Sequence, residues 1–331
     1  MGPSEADGPQ AGPPVFPYGT AAAFRTALRD RFAAIAKDDP RYSLDELQRQ
    51  FAYDRALARL FTAPDADSWV LKGAGALLAR LEQARHSKDI DVYFAEQSAA
   101  VSDATAALRT ALGRDLGDFF GFEVTRIVAL QEEAKGSRVH VRATLGAKTF
   151  AVFHIDVVVG TAMSGEPDVV APLTPLHIDG LVRPSYRAFP LPDHVADKFC
   201  AILGTHIRGE PVTGSSRIKD LVDIALIATT QPISGPALRA AVLAGTAHRN
   251  LSLPDAFAVP DEAVWRRGYP QSAADAPGPT PTFDEAISLA CALLNPVLKG
   301  PVSGNWDPTA ASWTPPAGLH GPSRPKVACI T

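Results

Sequence analysis

The sequence predicts a bilobed α/β fold (α+β in its layout), with a mixed sheet in the N-terminal lobe and a mainly helical C-terminal lobe. Three observations carry this. Up to about residue 160, helix-like spacings are interleaved with strand-like runs at 69–71, 89–93, 122–130, 138–145 and 149–159. Beyond residue 192 the apolar spacing is that of helices. A Pro-rich stretch, 167–192, separates the two regimes. The domains expected are a disordered leader at 1–19, a sheet lobe with N-terminal helices at 20–166, a hinge at 167–192, and a helical lobe with an irregular tail at 193–331.

Each element has its own warrant. The leader is rich in Pro, Gly and acid. An Ala/Arg/Phe pattern at 20–37 reads as an amphipathic helix. Ser43, with Glu46 three residues on, forms a capping box for a helix reaching Phe61. The stretch 69–94 follows, and the rest of the chain is organised around it. Trp69-Val70-Leu71 is a short apolar strand that enters a glycine turn, Gly73-Ala74-Gly75. A helix over 76–83 shows Leu77, Leu78 and Leu81 on one face. The basic turn Arg85-His86-Ser87-Lys88 leads to a second strand. There Asp89 and Asp91 point one way while Ile90 and Val92 point into the core, because strand side chains alternate. A helix is expected at 99–116, then the three β-rich runs. The last of these is strongly apolar but interrupted by Asp156. Short strands are expected around Ile178 and at 186–189. Asp193 should cap a helix over 193–205, followed by a loop at 209–216 and a helix at 217–230. That last helix would place Asp220 and Asp223 on its exposed side. Helices at 234–247 and 282–299 complete the lobe. Trp306 and Trp313 in the tail need a surface to pack against.

Composition bounds the function. With 331 residues, 46% hydrophobic, the chain can bury a sizeable core. A net charge of -4 argues against a protein that coats nucleic acid non-specifically, while leaving room for a local basic groove. Cys200, Cys291 and Cys329 are far apart, odd in number and without metal-ligand spacing, so a reduced, cytoplasmic setting is expected. No apolar run is long enough for a membrane span, and no signal peptide is expected.

The chemistry concentrates in acids. Asp89 and Asp91 repel one another unless a cation lies between them. Asp156, in an apolar strand about 65 residues later, needs a partner or a task. An all-oxygen site of this kind suits Mg²⁺, with Mn²⁺ the other candidate, and shares the ion with nucleotide phosphates. Two metals could be held by three such acids. Lys72 and Gly73 at the turn would meet those phosphates, or else form an ordinary turn with a solvated lysine. Ser87 is either a triphosphate contact or a turn former, and Lys88 follows it. Arg80, Arg85, Lys88, Arg217 and Lys219 would make the cleft locally positive. From spacing alone, Lys198 reads equally as a solvated lysine and Asp220 as part of an exposed charge network. His154 reads as a packed residue of the sheet.

Strand, glycine turn, helix and Asp-x-Asp on the next strand look like the nucleotide-binding half of a nucleotidyltransferase. More specifically, five stretches resemble the AbiEii/AbiGii-type toxins, nucleotidyltransferase-like members of bacterial toxin–antitoxin systems. They are Leu71-Lys72-Gly73-Ala74-Gly75-Ala76-Leu77, Arg85-His86-Ser87-Lys88-Asp89-Ile90-Asp91, Ile155-Asp156-Val157-Val158, Ala196-Asp197-Lys198-Phe199-Cys200-Ala201 and Arg217-Ile218-Lys219-Asp220-Leu221-Val222-Asp223. Two positions depart from the family's pattern: Ala74, where a Gly or Ser is common, and Asp197, where Glu is common. The resemblance implies that Asp89, Asp91 and Asp156 bind the metal and that Lys198 and Asp220 are essential residues of the second lobe. It further implies transfer of a nucleoside monophosphate from an NTP to the 3′ acceptor end of tRNA, blocking translation, and a cognate antitoxin as partner. The alternatives are transfer to an aminoglycoside-like small molecule or to a protein, and a non-catalytic nucleotide-binding protein.

Overall fold

The computed structural model describes residues 15–81, 84, 87–96, 98–130, 135–206 and 213–314. Helix α1 (Ala21–Asp38) starts where the Thr20 hydroxyl accepts from the Ala23 N–H, and α2 (Leu44–Leu60) opens with the Ser43/Glu46 capping box. Then come β1 (Trp69–Lys72), α3 (Gly73–Leu78), β2 (Ile90–Phe94), α4 (Val101–Leu112), β3 (Phe120–Ala129), β4 (Gly136–Leu145), β5 (Lys148–Val159), β6 (Asp168–Val170) and β7 (Tyr186–Ala188). The C-terminal part holds α5 (Leu191–Leu203), the short hairpin β8 (Thr205–His206) and β9 (Thr213–Gly214), and α6 (Ile218–Thr230). After them come β10 (Ile233–Ser234), α7 (Gly235–His248), α8 (Glu262–Ala273), α9 (Phe283–Lys299), β11 (Asn305–Asp307) and β12 (Ser312–Thr314).

Seven strands form one mixed sheet in the order β3-β4-β5-β2-β1-β7-β6. Among the described residues, only β5/β2 and β1/β7 run parallel. The two strands that carry the acids, β2 and β5, are thus central neighbours. One apolar cluster packs α1, α2 and α4 on the sheet, through Phe24, Phe51, Leu108, Phe153 and Ile155. A second joins α5 to α9 through Phe199, Ile224, Trp265, Leu293 and Trp306, and takes in Leu77 and Leu81 beside α3. The short helix next to the acids is therefore anchored in the helical core.

Several expectations change. Phe16 and Tyr18, assigned to the disordered leader, are ordered and pack their rings against Phe24 at 5.0 Å; residues 1–14 lie outside the described chain. The glycine turn is itself the start of α3, which ends at Leu78 instead of 83. The stretch 167–192 contributes β6 and β7 to the sheet, whereas Ile178 is buried in irregular chain. Asp193 does not cap α5: it lies in the first turn, where its carboxylate accepts from Ser164 N, Ser164 Oγ and Gly165 N. Helix α8 was not foreseen, because Gly268 and Pro270 interrupt its sequence; Trp265 and Tyr269 bury it nonetheless. Trp306 is buried with its indole N–H donating to Ala228 O at 2.7 Å, so the chain after α9 does fold back on the helical lobe.

A buried ionic cluster fixes α2 against the start of β3. Arg55 and Arg59 both reach Asp118 at 2.9 Å, and all three side chains are almost wholly buried. Burial alone would raise the Asp118 pKa; Arg59 and Arg55 outweigh it and hold the carboxyl below its ordinary range. Losing one member of such a cluster leaves uncompensated buried charge, at about 3–5 kcal/mol. Asp118→Asn strands two guanidiniums in this way. It should lower stability by about 3–5 kcal/mol, read as a fall in the urea unfolding midpoint.

Candidate active site

The site is built where β1, β2 and β5 lie side by side. Lys72 ends β1 opposite Asp91 of β2, and Asp91 stands beside Asp156 of β5. Gly73 makes the approach possible. It has φ +59°, and a Cβ on it would lie 1.9 Å from Asp91 Oδ2. Only glycine lets α3 start this close to a carboxylate. Lys72 is buried, not solvated: Nζ lies 4.3 Å from the centre of the Phe189 ring and 3.9 Å from Asp197 Oδ2.

Asp89 immediately precedes β2 and is held by its neighbours. The buried Ser87 hydroxyl donates within the turn to Asp89 O at 2.6 Å and lies 3.1 Å from Asp89 Oδ1. His154 Nε2 lies 3.2 Å from Asp89 Oδ2. Arg138 of β4 grips Asp156 with two bonds, Nε and one terminal nitrogen donating at 2.8 and 2.7 Å. One ligand atom from each of Asp89, His154 and Asp156 lies within 4.8 Å of the other two. Asp91, tucked under Gly73, feels the strongest field. Burial first, then the charges of Asp89 and Asp156, push its carboxyl up to about 7, against the pull of Lys72 and Lys198.

The helical lobe supplies a second charged cluster. Lys198 on α5 donates to Asp220 Oδ1 at 3.0 Å and Asp223 Oδ2 at 2.6 Å, both on α6. Arg217 Nε reaches the other Asp220 oxygen at 2.7 Å. Asp220 and Asp223 are buried, which corrects the expected exposed side. Spacing showed that they share a face but not that the face meets a lysine. Burial alone would raise the Asp220 pKa; Lys198 and Arg217 hold it below the usual range. Lys72 and Arg249 do the same for half-buried Asp197, which Arg249 meets at 2.5 Å.

The sequence-predicted residues thus gather in two linked groups. Lys72, Gly73, Ser87, Asp89, Asp91 and Asp156 belong to the sheet end. Lys198 and Asp220 pair with each other in the helical lobe, Lys198 near enough to the sheet end to bias Asp91. Lys88 is exposed beside Asp89. The expected positive cleft is thinner than foreseen. Arg80 is held by Asp168 and Phe189 O, Arg217 by Asp220 and Lys219 by Asp275, and Arg85 lies outside the described residues. Sequence reading missed Arg138, Asp197 as the partner of Lys72, and above all His154, which is half-buried at the site. Its signal was available: it stands two residues before Asp156, on the same strand face.

The donor chemistry suits a divalent ion. Two carboxylates and an imidazole converge, and a fully buried hydroxyl, that of Tyr53, has no partner among the described residues while feeling the charges of Asp89 and Asp91. Asp89 and Asp156, with Asp91 behind them, would hold the ion.

A mixed sheet with acids on adjacent central strands, next to a glycine-started helix and backed by a helical lobe, defines a nucleotidyltransferase-like protein. The chain belongs to the AbiEii family: the family model described as nucleotidyl transferase AbiEii toxin, type IV toxin–antitoxin system, matches residues 55–289. It is a toxin-like nucleotidyltransferase by family, which implies an NTP substrate and a cognate antitoxin. Among solved structures, JHP933 from Helicobacter pylori shares 17% identity over 57% of this chain and 68% of that one, with a TM-score of 0.35. A second H. pylori protein, described as a candidate nucleotidyltransferase, shares 16% identity over 71% of this chain and 82% of its own, with a TM-score of 0.36. No curated protein matched the chain.

The Asp91 environment has a measurable consequence. Burial and the neighbouring acids push its carboxyl up to about 7 in the folded state, from an ordinary value of 3.8. The folded state then binds more protons between these limits, so stability falls as pH rises through that window. Without divalent ions, Asp91→Asn should be more stable than wild type at pH 8 by on the order of 4 kcal/mol. The difference should vanish near pH 4, as followed by urea unfolding in EDTA.

Proposed function

We propose that this chain transfers a nucleoside monophosphate from an NTP to the 3′ acceptor end of tRNA, releasing pyrophosphate and thereby blocking translation. The observation that carries the reading is the convergence of Asp89 and Asp156 on neighbouring strands, with Asp91 between Lys72 and Asp156 in the sheet register. A divalent ion held there would neutralise phosphate charge and align the reacting oxygens.

The protein's own residues do the positioning. Ser87 fixes the Asp89 carboxylate, and Gly73 admits the turn against Asp91. Lys72, held by Phe189 and Asp197, sets positive charge at the floor of the site. Exposed Lys88 is placed to meet the triphosphate. Lys198, locked between Asp220 and Asp223, favours the ionised form of Asp91 from the second lobe. The acceptor hydroxyl forms a bond to the α-phosphorus as the bond to pyrophosphate breaks. Catalysis is then mainly orientation and electrostatics.

A polyanionic acceptor is supported by the open sheet face beside the acids. Arg138, His140 and Arg142 alternate along β4, opposite Asp156, His154 and Val152 of β5, and Arg126 of β3 stands opposite His140. Two of these arginines are already paired, Arg138 with Asp156 and Arg142 with Glu123.

The test is incorporation of each labelled NTP into total tRNA in Mg²⁺ or Mn²⁺. Label from wild type is expected, falling at least about 100-fold in Asp89→Ala. Arg126→Glu should weaken tRNA labelling while leaving nucleotide binding intact. Label on an aminoglycoside or a protein, with none on RNA, would replace tRNA as the acceptor. Nucleotide binding without transfer to any acceptor would leave a binding protein.

A further inference from the structure

We infer that His154 is a metal ligand, and that it makes this site select Mn²⁺-like transition ions over Mg²⁺. The inference rests on the nucleotidyl-transfer reading of the same acids and adds the identity of the ion. Its observation is geometric. His154 and Asp156 leave the same face of β5, two residues apart, and His154 Nε2 is directed at Asp89 Oδ2 at 3.2 Å. Ligand atoms from Asp89, His154 and Asp156 lie within 4.8 Å of one another. On one small divalent ion with bonds of about 2.1 Å, neighbouring ligands stand roughly 3.0–3.4 Å apart and opposite ones about 4.2 Å. The 3.2 Å between His154 Nε2 and Asp89 Oδ2 already falls within the range for neighbours, so an Asp156 oxygen, within 4.8 Å of both, is the ligand left to close in.

The ring is placed as a ligand should be. It is half-buried, and Asp89 is its hydrogen-bond partner among the described residues. The neighbouring His140 ring lies 5.9 Å away, tilted by 49°, and limits how His154 can turn. Mg²⁺ favours oxygen donors and keeps much of its water, whereas imidazole nitrogen raises affinity for Mn²⁺, Co²⁺ and Zn²⁺. Two carboxylates alone would leave Mg²⁺ the natural occupant; the third donor shifts the preference. Arg138 now occupies both Asp156 oxygens, and its side chain is 40% exposed. Each of those oxygens keeps a second lone pair, so an arriving ion can bind Asp156 beside the guanidinium.

The experiment is pulsed electron paramagnetic resonance of the full chain with Mn²⁺ and a non-hydrolysable NTP analogue, beside competition titrations of Mn²⁺ against Mg²⁺. A directly coordinated ¹⁴N signal is expected in wild type. It should be lost in His154→Gln and kept in His140→Gln, and the preference for Mn²⁺ should fall about tenfold in His154→Gln. Wild-type protein grown with ¹⁵N-histidine reports the same contact by isotope shift, whether or not the variant folds. Phosphorus coupling from the bound analogue without any histidine nitrogen overturns the inference while the transferase reading stands. Absence of bound Mn²⁺ overturns both.

Discussion

Two carboxylates held within 4.8 Å of each other across parallel strands are the constraint on which this structure turns. At that spacing and an effective dielectric near 20, like charges repel by about 3 kcal/mol. A third carboxylate, half-buried Asp91, lies between Lys72 and Asp156 in the sheet register, and loss of hydration first, then the charges of Asp89 and Asp156, push it up to about 7. The fold holds the groups together by other means. Backbone pairing of β2 with β5 fixes Asp91 beside Asp156 whatever their side chains prefer. Ser87, His154 and Arg138 then pin individual oxygens. Such an arrangement gives up stability for charge density, as expected of a site whose counter-ion is a substrate-borne cation.

The second lobe answers the first in sign. Lys198 is buried with two aspartates and so cannot be a free counter-charge, yet it lies close enough to favour the ionised form of Asp91. Asp197, the adjacent residue on α5, turns to Lys72 and Arg249 instead. One turn of α5 thus links the C-terminal end of β1, through Lys72, to the buried Asp220/Asp223 pair on α6. Movement of the helical lobe would alter the field at the acids, and the shared core around Leu77 resists such movement.

Much of this was legible in the sequence because the relevant signals are local. Period-two alternation gave β2 and β5, the Ser43/Glu46 box gave α2, and the glycine run marked the turn at Gly73. Asp156 stood out as a lone acid in an apolar strand. What escaped depends on which surfaces meet. No spacing says that Asp220 and Asp223 face Lys198 across two packed helices, or that Arg138, in a different strand, would bracket Asp156. Nor could it say that Arg80 would be consumed by Asp168 and a backbone carbonyl. Helix α8 was hidden by Gly268 and Pro270, although Asp261 caps it as a sequence rule would allow. His154 was visible by the same alternation that exposed Asp156 and was set aside as a packed residue. Its contact with Asp89 places it beside the acids.

The central claim is that these acids are gathered to receive a divalent ion together with a nucleotide. Calorimetric unfolding of the full chain, with and without Mn²⁺ or Mg²⁺ and a non-hydrolysable NTP, tests it most directly. A ligand near 100 times its dissociation constant should raise the midpoint by about 3 °C or more. The account predicts that rise for wild type, and none for Asp89→Asn at the same concentrations. No rise in wild type, or an equal rise in the variant, would contradict it.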